Sequence, residues 1–230
     1  MMGDSTGVLD EQTNIARAVI YRFLSRCFSH PDRELIELFD SARLEGTPPA
    51  WRCLGPESSE DIDKTASWLA KWPNQEAALL ELEKEYTRLF ITAYPKVVAL
   101  PYSSLYLDSE KLVWGRSTAE VARLYEAAGL GINEHFHDIP DHIAAELEFA
   151  SYLITEQLKN AGNDSLHIQQ LSSIENRFFI EHLFRWTPAF FSRVIEHSSV
   201  PFYQETALLG RQFTDWDAQR LLRLQEPMGT

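Results

Sequence analysis

Apolar residues recur every three to four positions through most of this 230-residue chain, the spacing of a buried stripe on an α-helix. Glu11 to Phe28 reads as a first helix, with Ile15, Val19, Phe23 and Cys27 on one face. Ser29-His30-Pro31-Asp32 stops it and starts a second helix carrying Leu35, Ile36, Leu38 and Phe39. Gly46-Thr47-Pro48-Pro49 and Gly55-Pro56 bracket an irregular stretch, and a short helix follows over about Glu60 to Lys71. Asn74 is placed to cap a long helix with Leu79, Leu82, Tyr86, Leu89 and Phe90. Helix resumes near Ser117, capped by Ser117 or Thr118 and ended by Gly129. Pro140 suits the first turn of the next helix, where its missing N–H costs nothing. That helix has a clear stripe of Ile143, Leu147, Ala150, Ile154 and Leu158. Three more helices are expected, at about Ser165–Phe184, Pro188–His197 and Phe202–Leu224.

No run alternates convincingly enough to make a sheet, and no repeat is present. The pattern predicts an all-α fold: a single compact helical domain, residues 1–230, of about nine or ten helices. An articulation is expected in Gly131–Ile139. The helical pattern fails from Thr92 to Trp114, where Tyr94-Pro95 and Leu100-Pro101-Tyr102-Ser103-Ser104-Leu105-Tyr106 read as extended loop. A loop this long inside a domain is usually functional or misassigned. In an extended strand Tyr102, Ser104 and Tyr106 share one face.

Charge narrows the partners. The net charge of −13 argues against nucleic acid, which requires Lys and Arg to displace phosphate counterions. The two cysteines, Cys27 and Cys53, form neither a disulfide framework nor a zinc spacing, and Cys27 reads as a small core residue. The start Met1-Met2-Gly3-Asp4-Ser5 lacks the basic and apolar regions of a secretory signal, and no run is long enough to span a membrane. A cytoplasmic location is the expectation. No phosphate loop, dinucleotide fingerprint, nucleophile elbow or His-Glu-x-x-His motif occurs, and no catalytic residue is assigned.

The densest chemistry lies in His135-Phe136-His137-Asp138-Ile139-Pro140-Asp141-His142-Ile143-Ala144-Ala145-Glu146-Leu147-Glu148-Phe149. From Leu124 to Leu158 there are seven carboxylates and no Lys or Arg. Such a stretch binds a metal, performs acid/base chemistry or receives a basic partner. For a metal enzyme, His135, His137, His142 and Glu146 supply the donor types of zinc, manganese or iron sites. Their order across a loop matches no known closed site, however, and His142–Glu146 reads equally as a helical pair. For acid/base work, Asp141 and Glu146 stand where carboxylates also serve simply to complement a helix dipole. For a peptide, carboxylates would take arginine guanidinium groups, while Tyr94, Tyr102 and Tyr106 offer apolar faces with polar tips.

In order along the chain come Tyr86-x-x-Leu89-Phe90, Pro101-Tyr102-x-Ser104-x-Tyr106, Gly115, Leu124-Tyr125-x-x-x-Gly129-Leu130, and Pro140-Asp141-His142-Ile143-x-x-Glu146-Leu147-Glu148-Phe149. This series resembles the TorD/DmsD/NarJ family of cytoplasmic molybdoenzyme-maturation chaperones. The resemblance implies a non-enzymatic protein without a cofactor of its own. Its partner would be the apo-form of a molybdopterin oxidoreductase, held through its twin-arginine leader or N-terminal segment. Premature export would be prevented and molybdopterin insertion assisted, with contact to cofactor-delivery proteins. Asp141 and His142 would then contact the peptide or shape its groove. Leu89, Phe90, Tyr94, Pro101, Tyr102, Ser104 and Tyr106 would line the adjoining part, and Glu146, Glu148 and Phe149 complete the motif. Ala150 departs from the pattern, where methionine is common. Some relatives exchange C-terminal halves through the connector, so both monomer and homodimer are compatible.

Overall fold

The computed structural model describes residues 11–45, 71–131, 139–162 and 165–225. The short helix expected over Glu60–Lys71, Cys53, and most of the articulation expected at Gly131–Ile139 lie outside them. The described residues are helical apart from loops, and one isolated antiparallel bridge joins Tyr102 to His142. The elements are α1 (Glu11–Phe28), α2 (Arg33–Glu45), α3 (Gln75–Tyr86), α4 (Ser104–Leu107), α5 (Arg116–Ala127), α6 (Ile143–Asn160), α7 (Ser165–Phe178), α8 (Phe184–His197) and α9 (Pro201–Gln225). π-helical turns extend α3 through Thr87–Ile91 and join α7 to α8 through Phe179–Leu183.

Helix α1 lies antiparallel along α6, and α8 packs along α9; these are the two most extensive pairings. Small residues let α1 and α6 approach, and two serines bond across. Ser151 donates to the Ala18 carbonyl and Ser25 to the Ala144 carbonyl, both at 2.8 Å. A continuous aromatic core fills the centre. Phe28, Phe90, Phe190 and Phe191 meet there in edge and tilted contacts, and Tyr203 packs on Phe90. Cys27 is fully buried among them, and burial pushes its thiol up. Gly210 of α9 lets the Phe191 ring approach: a Cβ there would stand 2.7 Å from the ring.

The buried face of α1 is rotated from the expected one. Ile15 and Val19 are exposed, whereas Arg17, Ile20, Tyr21, Leu24, Cys27 and Phe28 point inward. The reason is Arg17, a charged residue in a core position. Its Nε and Nη2 bond the two oxygens of Asp217 at 2.8 and 3.0 Å, and Nη2 also bonds Glu175 at 2.7 Å. Tyr21 and Arg220 add further donors to Asp217, each at 2.8 Å. Gln157 reaches Glu175 at 2.7 Å, so the network fastens α1, α6, α7 and α9. A buried ion pair adds little over an apolar substitute, but an orphaned buried charge is costly.

Two other departures have tertiary causes. No break precedes Pro188, which lies inside α8; the buried Trp186, Phe190, Phe191 and Val194 hold that helix against its proline. Helix α5 starts at Arg116, and Asp108 rather than its own hydroxyls caps it. The Asp108 carboxylate accepts from Ser117 N at 3.1 Å and Ser117 Oγ at 2.5 Å. Gly115 permits this, because a Cβ would fall 2.1 Å from Asp108 Oδ2. Asn74 caps α3 as expected, accepting from Ala77 N at 2.8 Å.

Asp217→Ala would leave the two buried cations Arg17 and Arg220 with Glu175 as the remaining carboxylate of the network and should cost roughly 3–5 kcal/mol of stability. Urea denaturation checks this; a midpoint within error of wild type would contradict the role given to the network.

Candidate functional site

The loop before α4 and the turn before α6 are sewn together. Ser103 N donates to the Asp141 carbonyl at 2.9 Å and Ile143 N to the Pro101 carbonyl at 2.8 Å. The Asp141 carboxylate, fully buried, accepts from Ser104 N at 2.9 Å and so caps α4. His142 caps α6: its Nδ1 accepts from Ala144 N at 3.2 Å. The Tyr102 ring meets the His142 ring edge-on, 5.4 Å between centroids. Tyr125 closes the assembly from α5, its hydroxyl donating to the Pro140 carbonyl at 2.8 Å.

Beneath this latch lies Glu146, also fully buried. One oxygen bonds His182 Nε2 at 2.7 Å, and the other accepts from Trp186 Nε1 at 2.8 Å. His182 Nε2 also lies 3.1 Å from Ser103 Oγ. The π turn adds a residue to the helical register there, and Phe178, Phe179, His182, Leu183 and Trp186 all turn inward. Burial alone would lower the His182 imidazolium; the charge and hydrogen bond of Glu146 outweigh it and raise its pKa. Burial likewise raises the Glu146 carboxyl, against the pull of His182, Ser103 and Trp186. Both shifts mean that the pair holds its protons more tightly than free side chains do.

The extended loop expected around Tyr102–Tyr106 is instead a bridge at Tyr102 followed by the single turn α4. Asp141 supplies the capping oxygen that makes the turn. Ser104 is therefore buried, whereas Tyr102 and Tyr106 are half-buried. Tyr106 packs on Trp186, and the Arg193 guanidinium lies 5.0 Å from its ring centre. Pro101 is buried in the latch. Leu89 and Phe90 belong to the aromatic core, and Tyr94 is fully exposed.

The expected acidic wall is divided between two places. Residues 146 and 148 are about 200° apart around a helix. Glu146 points into the core, while Glu148 is exposed and has no hydrogen bond or ion pair among the described residues. Asp141 and Glu146 are engaged inside the protein, so they do not present themselves to a surface guanidinium. Substituting Asp141 and His142 would disturb two helix caps and lower stability as well as alter any surface they shape. Phe149 is buried against Tyr125 and Phe178 at centroid distances of 4.4 and 4.9 Å. The metal reading gains no support: Glu146 turns to His182, not His142, and His135 and His137 lie outside the described residues. Among the described residues no cluster of three His, Cys, Asp or Glu is placed to hold a metal.

Residues 54–192 match the family described as nitrate reductase delta subunit, more than half of the chain. The chain belongs to this family. Its relatives include the chaperone protein TorD of Aliivibrio salmonicida, 29% identical over 191 residues, which cover 83% of this chain and 87% of that protein. TorD of Vibrio cholerae serotype O1 (strain ATCC 39315 / El Tor Inaba N16961) is 28% identical over 211 residues, 89% of this chain and 91% of its own length. A solved structure described as a redox enzyme maturation protein, from Archaeoglobus fulgidus, has a TM-score of 0.52 and 26% identity, covering 86% of this chain and 93% of that one. The resemblance to the TorD/DmsD/NarJ family is thus borne out, and with it the all-α fold. The relatives are named chaperones, and the family sets this chain among them rather than among enzymes.

For this family member, then, most motif residues are explained by what they hold together. Pro101, Ser104, Asp141, His142 and Glu146 are one buried latch. Its partners His182 and Trp186 were not among the expected site residues. Two signals mark them: Glu146 occupies a core phase of α6, between Ile143 and Ala150, and so needs an inward donor. His182 and Trp186, spaced i and i+4 in an apolar run, are the polar groups available to a buried face.

Because the folded His182 value lies above the unfolded one, its contribution is complete below the ordinary histidine range near 6.5 and is lost as the pH rises through the raised value. The raised Glu146 shift has the same sign. Wild-type stability should therefore decline as the pH rises above the ordinary histidine range, and His182→Gln should flatten that decline. Denaturant titrations across this window check it; parallel pH slopes would contradict it.

Proposed function

We propose that this chain is a cytoplasmic chaperone for an immature molybdopterin oxidoreductase. It holds the client's twin-arginine leader, or an equivalent N-terminal segment, back from export. It thereby keeps the apo-enzyme competent for molybdopterin insertion, in contact with the proteins that deliver the cofactor. The observation that carries this reading is family membership together with TorD chaperones that align over nearly the whole chain.

Physical features support it. The protein is acidic, and its Leu124–Leu158 stretch lacks any cation that would repel a leader's arginines. Glu126 and Glu148 are the exposed carboxylates of the described part of that stretch, besides the partly buried Glu156 that pairs with Lys159. Tyr94 stands fully exposed, and Tyr102 and Tyr106 partly so, on the loop fastened by the latch. In this reading Asp141 and His142 shape the binding surface by fixing that loop to the head of α6. Leu89, Phe90, Pro101, Ser104, Glu146 and Phe149 support it from beneath. Tyr94, Tyr102 and Tyr106 are the loop members that reach a peptide, and Glu148 is the exposed carboxylate on the other side of α6. Among the described residues no helix is long and apolar enough to cross a membrane.

Calorimetry with a twin-arginine leader peptide tests the reading. Binding is expected, and it should weaken as salt rises from ~50 to ~500 mM, since exposed charge pairs are screened across that range. Affinity indifferent to salt would contradict the charge pairing, and absence of binding would contradict the leader itself.

A further inference from the structure

A groove of about 320 Å³ opens on the outer side of α6, away from the latch core. It is lined by Tyr125, Leu130, Gly131, Ala145, Phe149 and Tyr152, with Glu148 the charged member. Ala145, Glu148, Phe149 and Tyr152 fall at i, i+3, i+4 and i+7, one stripe of α6. The aromatic walls are braced. Tyr125 and Phe149 pack at 4.4 Å between centroids, and the Tyr152 hydroxyl donates to the Ala128 carbonyl at 3.1 Å. Tyr125 gives its ring to this groove and its hydroxyl to the latch.

We propose that this groove is a binding site for the client leader, receiving one large apolar side chain on the Tyr125–Phe149–Tyr152 surface and a neighbouring arginine or lysine on Glu148. The inference rests on the leader-binding reading and gives it a location apart from the Tyr94–Tyr106 loop. Charge selects the occupant. Among the described residues the lining has one carboxylate and no Lys or Arg, so an anionic nucleotide or phosphate finds repulsion and no cationic side chain to pair with. Glu148 has no hydrogen bond or ion pair among the described residues, which leaves its carboxylate available. A second copy docking face to face would bring acidic surfaces together. A volume at the lower end of the small-ligand range takes side chains rather than a whole helix. A short segment with both apolar and basic residues matches on both counts.

The test is titration of a labelled twin-arginine leader peptide into wild type, Glu148→Lys, Ala145→Trp and Glu34→Lys, with sedimentation run on each. Glu34 is exposed in the first turn of α2 and gives the same charge change remote from α6 in sequence. Glu148→Lys is expected to weaken binding roughly fivefold to tenfold, the size of a rim charge reversed. Ala145→Trp fills the groove and should weaken binding at least as much, while Glu34→Lys should leave it unchanged. Wild-type affinity in both groove variants would overturn the groove and leave the leader reading standing. Equal weakening by Glu148→Lys and Glu34→Lys would overturn it in favour of net charge alone. A dimer that Ala145→Trp dissolves without touching leader affinity would make a second copy the occupant. Failure of wild type to bind the leader would overturn the leader reading and this site with it.

Discussion

The pairing of Glu146 with His182 and Trp186 is the contact on which the arrangement around α6 depends. A carboxylate fully inside an aromatic core is costly unless every oxygen is answered. Here one oxygen meets the imidazole at 2.7 Å and the other the indole N–H at 2.8 Å. Meeting that demand fixes the rotation of α6, the position of the π turn between α7 and α8, and the place of Ser103 above them. Once Ser103 is placed, the bridge to Asp141 and the cap on α4 follow within hydrogen-bond reach.

That inner commitment leaves the other side of α6 unconstrained by the core. Residues two apart on the helix face opposite ways, so one acidic motif provides both a structural carboxylate and an exposed one. Tyr125 lies between them. Burial raises its phenol, and the charges of Glu146, Asp141 and Glu148 act in the same direction. Its hydroxyl is tied to the turn that holds Asp141, while its ring forms part of the outer groove. Disturbing the latch should therefore be felt in the groove through this one side chain.

Much of this was legible in the sequence. The bounds of α1, the Asn74 cap, the stripe of α6 and the family resemblance follow from spacing and motif order. What could not be read was which polar residues face inward. Arg17 occupies a core phase of α1 only because Asp217 and Glu175, some 200 and 158 residues away, neutralise it. No local pattern reveals such partners, so the buried face was misplaced by about one residue, with Ile15 and Val19 left outside. The burial of the Asp141 carboxylate is hidden in the sequence for a similar reason. Its neighbours in sequence are acidic and suggest a surface patch, whereas its hydrogen-bond partner Ser104 comes from a distant loop. The helical turn at α4 depends on that same long-range cap and was equally invisible.

The central claim is that the inner carboxylates build the fold while the outer face of α6 receives the client. A leader peptide carrying a photoreactive residue beside its arginines, cross-linked to the protein and mapped by mass spectrometry, tests this most directly. Cross-links are predicted on Tyr125, Leu130, Ala145 and Tyr152. Cross-links confined to helices remote from α6, such as α2 or the end of α9, would contradict it.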